Sequence, residues 1–353
     1  TATEFARAKS NYMSSLEKVY TNRNKRENSV YGDAYRDHFL SNEPIPSIED
    51  QYAIMQQVTP MIPVEAINQG MAELINKNDS NLVVYSVNNE KEGAVYPTVD
   101  GIKKAIADVR AEKLTAYVDN VKDEPLIKTL PAKGAITGEK ENKVLGYKEL
   151  TLSNGARVLL KKTDFKDDEV LMTATSKGGS SLLGEKDYAN KKIFDDVIEA
   201  SGLGEFSHTE LEKALAGKQV SISMNLNQLH EVIGGKSTPK DLETMLQLNY
   251  LYFTNIKKDE KSYASLMTML ETMLKNQSIS PDKAFSDSIK STLYAHNPRF
   301  KSFDIEDIKD VNYDRILQIA KERTANAADF TFMFVGNFDE ATLRPLIEQY
   351  IAS

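Results

Sequence analysis

The sequence predicts an α+β protein built from repeated domains, each a largely antiparallel sheet packed by helices, with the first copy incomplete. Three observations predict it. Asn154-Gly155 stands between two runs of alternating apolar residues, and Asn-Gly supplies the positive φ angles of a tight hairpin turn. Other long segments carry apolar residues at three- and four-residue spacing, the period of an amphipathic helix. Finally, the order helix, strand, Asn-containing loop, helix occurs at about 63–114 and again at 312–351, each time after a pair of longer helices.

Along the first part of the chain, Phe5, Ala8, Tyr12, Leu16 and Val19 form one helical stripe. After a break at Pro44 and Pro46 come short helical stretches. Pro63 then opens a helix whose apolar face is Val64, Ile67, Met71, Leu74 and Ile75. Residues 81–87 read as a strand, because their apolar run is short and β-rich. Thr98 can cap a helix that buries Val99, Ile102, Ile106 and Val109.

Residues 119–145 mix charges with Pro125, Pro131, Gly134 and Gly138 and show little periodicity, which is the composition of a linker. The hairpin spans 149–163, a third strand spans 169–176, and a helix spans 188–200. Ser207 and Glu210 form a capping box for a helix through Leu211 and Leu215. Strands at 219–226 and 229–233 precede a helix capped by Thr238, begun by Pro239 and burying Leu242, Met245, Leu246 and Tyr250. Helices at 260–276, 282–293 and 313–322, a strand at 330–335 and a helix bearing Leu343, Leu346, Ile347 and Tyr350 complete the chain. The second copy has a leading half of strands and helices, at about 146–253, that the first lacks. The chain is therefore expected to start inside its first domain.

Composition removes several functions. No cysteine means no disulfide, thiolate nucleophile or Cys-type metal site. A net charge of −8 opposes binding to nucleic acid, which needs Lys and Arg against phosphates. No apolar run is long enough to span a membrane.

The four histidines are His38, His208, His230 and His296, and none has another one helical turn away. Helical zinc chemistry needs that pair, with a carboxylate beside it to take a proton from metal-bound water. His208 sits beside a helix cap and reads as a surface or capping residue. His230 and Glu231 are neighbours in a strand and point to opposite faces. His38 and His296 read as exposed. The Gly179-Ser180-Ser181 stretch lacks a nucleophile elbow, and Gly178-Gly179 and Gly234-Gly235 read as turns. Asp167-Asp168 and Asp195-Asp196 fit no calcium loop and read as solvated faces.

The stretch LTLSNGARVLL at 150–160, followed by SKGGSS at 176–181, resembles the opening of a domain of the pitrilysin/insulinase family of zinc metallopeptidases. SGLGEFS at 201–207 with Glu210-Leu211, and FMFVGN at 332–337, resemble later segments of the same domain. Catalytic copies of the family carry His-x-x-Glu-His on the helix after the glycine pair. Placed by this resemblance, that motif falls on Ile193, Phe194, Asp195, Asp196 and Val197, with Ile193 and Val197 at the histidine places. A slip of one residue puts Lys192 and Asp196 there instead. The family's later acidic ligand corresponds to the region of Glu271, which without histidines beside it reads as a surface carboxylate. The family's Arg-x6-Tyr pair is not found, since Arg299 has Ile305 and Arg315 has Glu322 in the region where Tyr is required.

What the resemblance implies is a non-catalytic segment of a zinc metalloendopeptidase whose two halves close around a chamber. Residues 1–118 would be the C-terminal part of one domain, 119–145 the linker, and 146–353 a complete degenerate domain. No metal or cofactor is expected in this chain, and zinc is expected in the catalytic domain of the parent protein. Expected partners are peptide substrates through the parent enzyme and other domains of the same polypeptide, with no nucleic acid and no membrane span. The bacterial periplasm or another exported compartment is favoured. The alternative is a binding or scaffold protein, an inactive homologue acting as a partner subunit.

Overall fold

The computed structural model describes residues 1–74, 81–88, 90 and 92–353. Helix α1 (Ala2–Thr21) begins in a capping box between Thr1 and Glu4, and buries Leu16 from its predicted stripe. α2 (Asn28–Ser41) ends at Asn42 in the left-handed region, and α3 (Ile48–Met61) packs on α1, with Tyr52 stacked on Tyr20 at 4.6 Å between ring centroids. α4 (Val64–Glu73) follows Pro63, and α5 (Val99–Ala111) is capped as expected, the Thr98 hydroxyl accepting from the Gly101 N–H at 3.0 Å.

The strand expected at 81–87 is not formed. A helix satisfies its own backbone, whereas a strand needs a neighbour for every N–H and C=O. Residues 82–88 have none beside them among the described residues, and Tyr85 and Val87 are 86% and 92% exposed. Ile75, assigned to the apolar face of the preceding helix, lies outside the described residues.

The second region is built on a seven-stranded sheet in the order β1 (Ile136–Asn142), β2 (Tyr147–Leu152), β3 (Arg157–Lys162), β9 (Thr331–Gly336), β4 (Val170–Lys177), β7 (His230–Ser237), β6 (Val220–Leu226). β5 (Gly202–Leu203) and β8 (Ile256–Lys257) form a separate two-stranded ribbon. Every pair is antiparallel except β3 with β9. The β2–β3 hairpin turns at Asn154-Gly155 as read from the sequence, with Gly155 at φ 87°.

β1 corrects the linker assignment, since part of 119–145 is an edge strand. Its residues are charged and mostly exposed, with a register shift between Ile136 and Gly138, so no apolar alternation marks it. Charged, irregular edges are how sheets avoid pairing with other molecules. Gly234 and Gly235 are a second correction, because both lie inside β7 rather than in a turn. A Cβ on Gly235 would stand 2.9 Å from the Met245 sulfur, so the glycine lets a helix approach the sheet.

Helices cover the sheet in chain order: α6 (Tyr188–Lys192), α7 (Phe194–Glu199), α8 (His208–Ala214), α9 (Leu242–Thr254), α10 (Glu260–Ser278), α11 (Pro281–Leu293), α12 (Tyr313–Arg323) and α13 (Glu340–Tyr350). The core forms where β9 crosses between β3 and β4. Phe332 lies between Val158 and Ala174, and Phe334 between Leu160 and Met172, all six buried. Phe194, Met245, Leu246, Ile316, Ile319, Leu343 and Ile347 join the same apolar cluster from the helices. α4, residues 82–88 and α5 repeat the order of α12, β9 and α13, but only the second copy places its middle segment in a sheet.

α1 is held on this second region by polar contacts. The Asp119 side chain, 1% exposed, accepts from Arg7 at 2.6 Å, Lys213 at 2.8 Å and the Thr3 hydroxyl at 2.6 Å. These donors keep its carboxyl far below the usual aspartate range. Asn11 accepts from the Gly217 N–H, and Lys240 pairs with Glu17 at 2.9 Å.

Candidate functional site

The helix read from the sequence at 188–200 is interrupted at Ile193, whose φ of −118° and ψ of 17° separate α6 from α7. The Ile193 carbonyl still accepts from the Val197 N–H at 3.0 Å, so the two positions remain one turn apart. Both side chains are core: Ile193 is 3% and Val197 0% exposed, and Phe194 between them is also buried. Neither Ile nor Val has an atom to donate to a metal. These residues do not fit zinc, and no catalytic step runs through one here. Among the described residues no group of three or more His, Asp or Glu side chains is placed to hold a metal ion.

The carboxylates beside them have structural employment. Asp195 accepts from the Leu226 N–H at 2.8 Å, tying the start of α7 to the end of β6. Burial pushes its carboxyl above the usual range despite that bond. Asp196 is exposed in the same first turn, where a negative charge suits the helix dipole. Glu271, on α10, is exposed and pairs with Lys275 at 2.5 Å. Asp167 pairs with Lys25 at 2.7 Å, whereas Asp168 is buried, which corrects its assignment to a solvated face.

The histidines are dispersed. His38 Nδ1 lies 2.6 Å from the Glu43 carbonyl, and His296 Nδ1 lies 2.6 Å from the Ser291 hydroxyl. His208 opens α8 beside Ser207, whose hydroxyl accepts from the Glu210 N–H, with its ring 3.8 Å from Glu212. His230 is exposed and its strand neighbour Glu231 buried, the alternation expected for β7.

Glu231, read from the sequence only as facing away from His230, is buried at 1% exposure. Its Oε1 accepts from the Gly179 N–H at 3.1 Å and stands 3.5 Å from Arg323 Nη1, while Oε2 has no partner. Gly178 and Gly179 turn at positive φ, as expected of the glycine pair, and a Cβ on Gly179 would collide with the Asn227 carbonyl at 2.3 Å. The two arginines weighed for substrate positioning are also engaged. Arg315 grips Asp187 with two bonds of 3.0 and 2.8 Å, and Arg299 reaches the carbonyls of Ser180 and Ser181 at 3.5 Å.

A mostly antiparallel sheet with its last strand inserted between β3 and β4, and the α6–α7 helical segment following the glycine-pair turn, define a fold shared with zinc proteases, to which the chain is similar. No family model matches it. Its relatives include a zinc protease PQQL-like protein of Arabidopsis thaliana, 28% identical over 345 residues that cover 96% of this chain and 33% of that protein. A probable zinc protease PqqL of Escherichia coli is 26% identical over 317 residues, covering 89% of this chain and 33% of that protein. The chain thus spans about a third of the length of the curated relatives it matches. In fold it is similar to the periplasmic protease PqqL from Escherichia coli, with TM-score 0.59 and 22% identity over 100% of this chain and 39% of that one. It is also similar to the ferredoxin protease FusC in complex with Arabidopsis ferredoxin, with TM-score 0.57 and 15% identity over 97% of this chain and 38% of that one.

Proposed function

We propose that this chain is a non-catalytic stretch of a zinc metalloendopeptidase, forming wall and inter-half connection of a chamber that encloses peptides. In this reading residues 1–118 close one domain, the following segment connects, and the sheet domain through Ser353 is a complete copy that has lost its metal site. The observation that carries it is the buried Ile193 and Val197 at the two histidine places. The open apolar faces of α4 and α5, with the unpaired 82–88 segment between them, support the division at about residue 118.

Zinc belongs in this reading to a catalytic domain elsewhere in the parent polypeptide, and peptides are substrates of that parent. The relatives' names as zinc proteases support this, and the periplasmic similar structure supports an exported compartment. No helix of the described residues is long and apolar enough to cross a membrane.

Metal analysis of the purified chain together with a peptide-cleavage assay tests the proposal. The expected result is no stoichiometric zinc and no turnover, and chelator-sensitive cleavage by this chain overturns it. Sequence flanking the chain discriminates the scaffold alternative, which requires that the parent carry no His-x-x-Glu-His.

A further inference from the structure

Four cations gather where α6, the turn at 179–182 and the end of α11 meet. The Lys191 and Lys192 ammonium groups lie 5.8 and 5.5 Å from the centroid of the Tyr188 ring. The Tyr188 hydroxyl donates to the carbonyls of Ser302 at 2.8 Å and Lys301 at 3.0 Å, which fixes the 298–302 segment beside them. Arg299 stands on that segment and Lys290 on α11. None of Lys191, Lys192, Lys290 and Arg299 takes part in an ion pair among the described residues.

The carboxylates nearby are already occupied. Asp307 pairs with Lys301 at 2.6 Å, and Asp287 and Asp304 both pair with Lys283, at 2.5 and 2.6 Å. Lys191 and Lys192 are held below the usual lysine range. Burial is the main cause for each, with Arg299 acting on Lys191, and Lys290 and Lys191 acting on Lys192, against the opposing pull of Glu185 on the first and Asp307 on the second. Glu185, which acts on Lys191, is the carboxylate left to face four like charges, and an excess of like charge opposes folding, yet it persists in a chain of net charge −8. A cavity of about 430 Å³ takes Lys290 of the four into its lining, with Lys301, Tyr294, Phe300 and the Lys283-paired Asp287 and Asp304, and the Tyr294 and Phe300 rings stack at 4.0 Å between centroids.

We propose that an acidic peptide segment binds across the mouth of this cleft, its Asp or Glu carboxylates seated beside it among Lys191, Lys192, Lys290 and Arg299 and an apolar residue inside against the Tyr294–Phe300 stack. Arg299 offers the planar fork that takes a carboxylate with two bonds, and the lysines act as point charges around it. A long polyanion is a poorer fit. The rest of the surface is acidic and repels a nucleic acid or an anionic membrane, while a short segment meets only the local positive field. The inference deepens the chamber-wall reading by giving that wall a preference among peptides, and it rests on that reading only for where the peptide comes from.

Fluorescence anisotropy on the full chain tests it, using a labelled peptide of alternating Glu and Leu, its Gln counterpart and its Lys counterpart. The Glu peptide is expected to bind more tightly than the other two and to weaken as salt rises. Lys192→Gln with Lys290→Gln should weaken it by about tenfold, whereas the exposed pair Lys103→Gln with Lys113→Gln should leave it unchanged. These lysines are not core, so unchanged circular dichroism is expected of all four substitutions. Equal binding of the Glu and Gln peptides, equal loss from both double variants, tighter binding of a single-stranded oligonucleotide, or full competition by inorganic phosphate at low concentration each overturns the site. Cleavage of the peptide by the chain would sink the chamber-wall reading and leave the binding result standing, so the two failures are distinguishable.

Discussion

Residues 1–118 and the sheet region from β1 onward contain the same kinds of amphipathic segment and bury them very differently. In the first, Leu16, Ile48 and Thr59 are the buried residues among those described, while Phe39 is 86% exposed and Met61, Leu40 and Leu74 lie open. In the second, Phe332 and Phe334 stand between strands on both sides with helices above them. The lesson is that periodicity alone suffices for a helix, whose hydrogen bonds are local, and does not suffice for a strand or a core, which need a second surface. α4 and α5 form without a sheet, and the segment between them does not pair.

Substitutions can break or sharpen that contrast. Phe334→Ala should cost about 3–5 kcal/mol in chemical denaturation, because it opens a cavity in a packed core. Phe39→Ala on α2 should change stability by less than about 0.5 kcal/mol. Equal losses from the two would mean that both regions share one core, against the burial seen here.

A smaller effect is expected at the Glu231–Arg323 pair. Arg323→Ala leaves a 1% exposed carboxylate with only the Gly179 N–H, at an expected cost of roughly 2–3 kcal/mol. Adding Glu231→Gln should recover most of it, since the amide oxygen keeps the Gly179 bond without a buried charge. A variant pair that stays as unstable as the single change would show that Arg323 acts through packing instead.

The smallest global effect concerns Asp119. Asp119→Ala should free α1 from the second region, seen as faster amide exchange over residues 2–21 with little shift in the main unfolding transition. Because the folded carboxyl is depressed, its contribution is complete above the ordinary aspartate value of 3.8 and is lost as the pH falls below it toward the folded value. Protection of α1 that is insensitive to both the substitution and acid would place the hold elsewhere, at Asn11 or Glu17.

How far the residues alone carried the reading follows the same division between local and non-local physics. The hairpin at Asn154-Gly155, the capping box at Ser207 and Glu210 and the cap at Thr98 were legible because each is decided within a few positions. β1 was not, because an exposed edge strand carries charge where a core strand carries alternation. Residues 82–87 had the composition of a strand and lacked a neighbour, a fact no window of sequence contains. The break at Ile193 was hidden for a similar reason: tertiary packing draws Ile193, Phe194 and Val197 into the core, and their periodicity is equally that of an unbroken helix. At the candidate site, the junction of Lys191, Lys192, Lys290 and Arg299 joins elements about a hundred residues apart, which no local pattern reveals.

The seam between α6 and α7 also limits what that turn could ever accept. Imidazoles need water or a hydrogen-bond partner, and the turn carrying Ile193 and Val197 is sealed into the dry interior. Writing histidines in at 193 and 197 would drive two polar rings into a space shaped for aliphatic carbon. Such a substitution would have to open that interior before either ring could meet solvent.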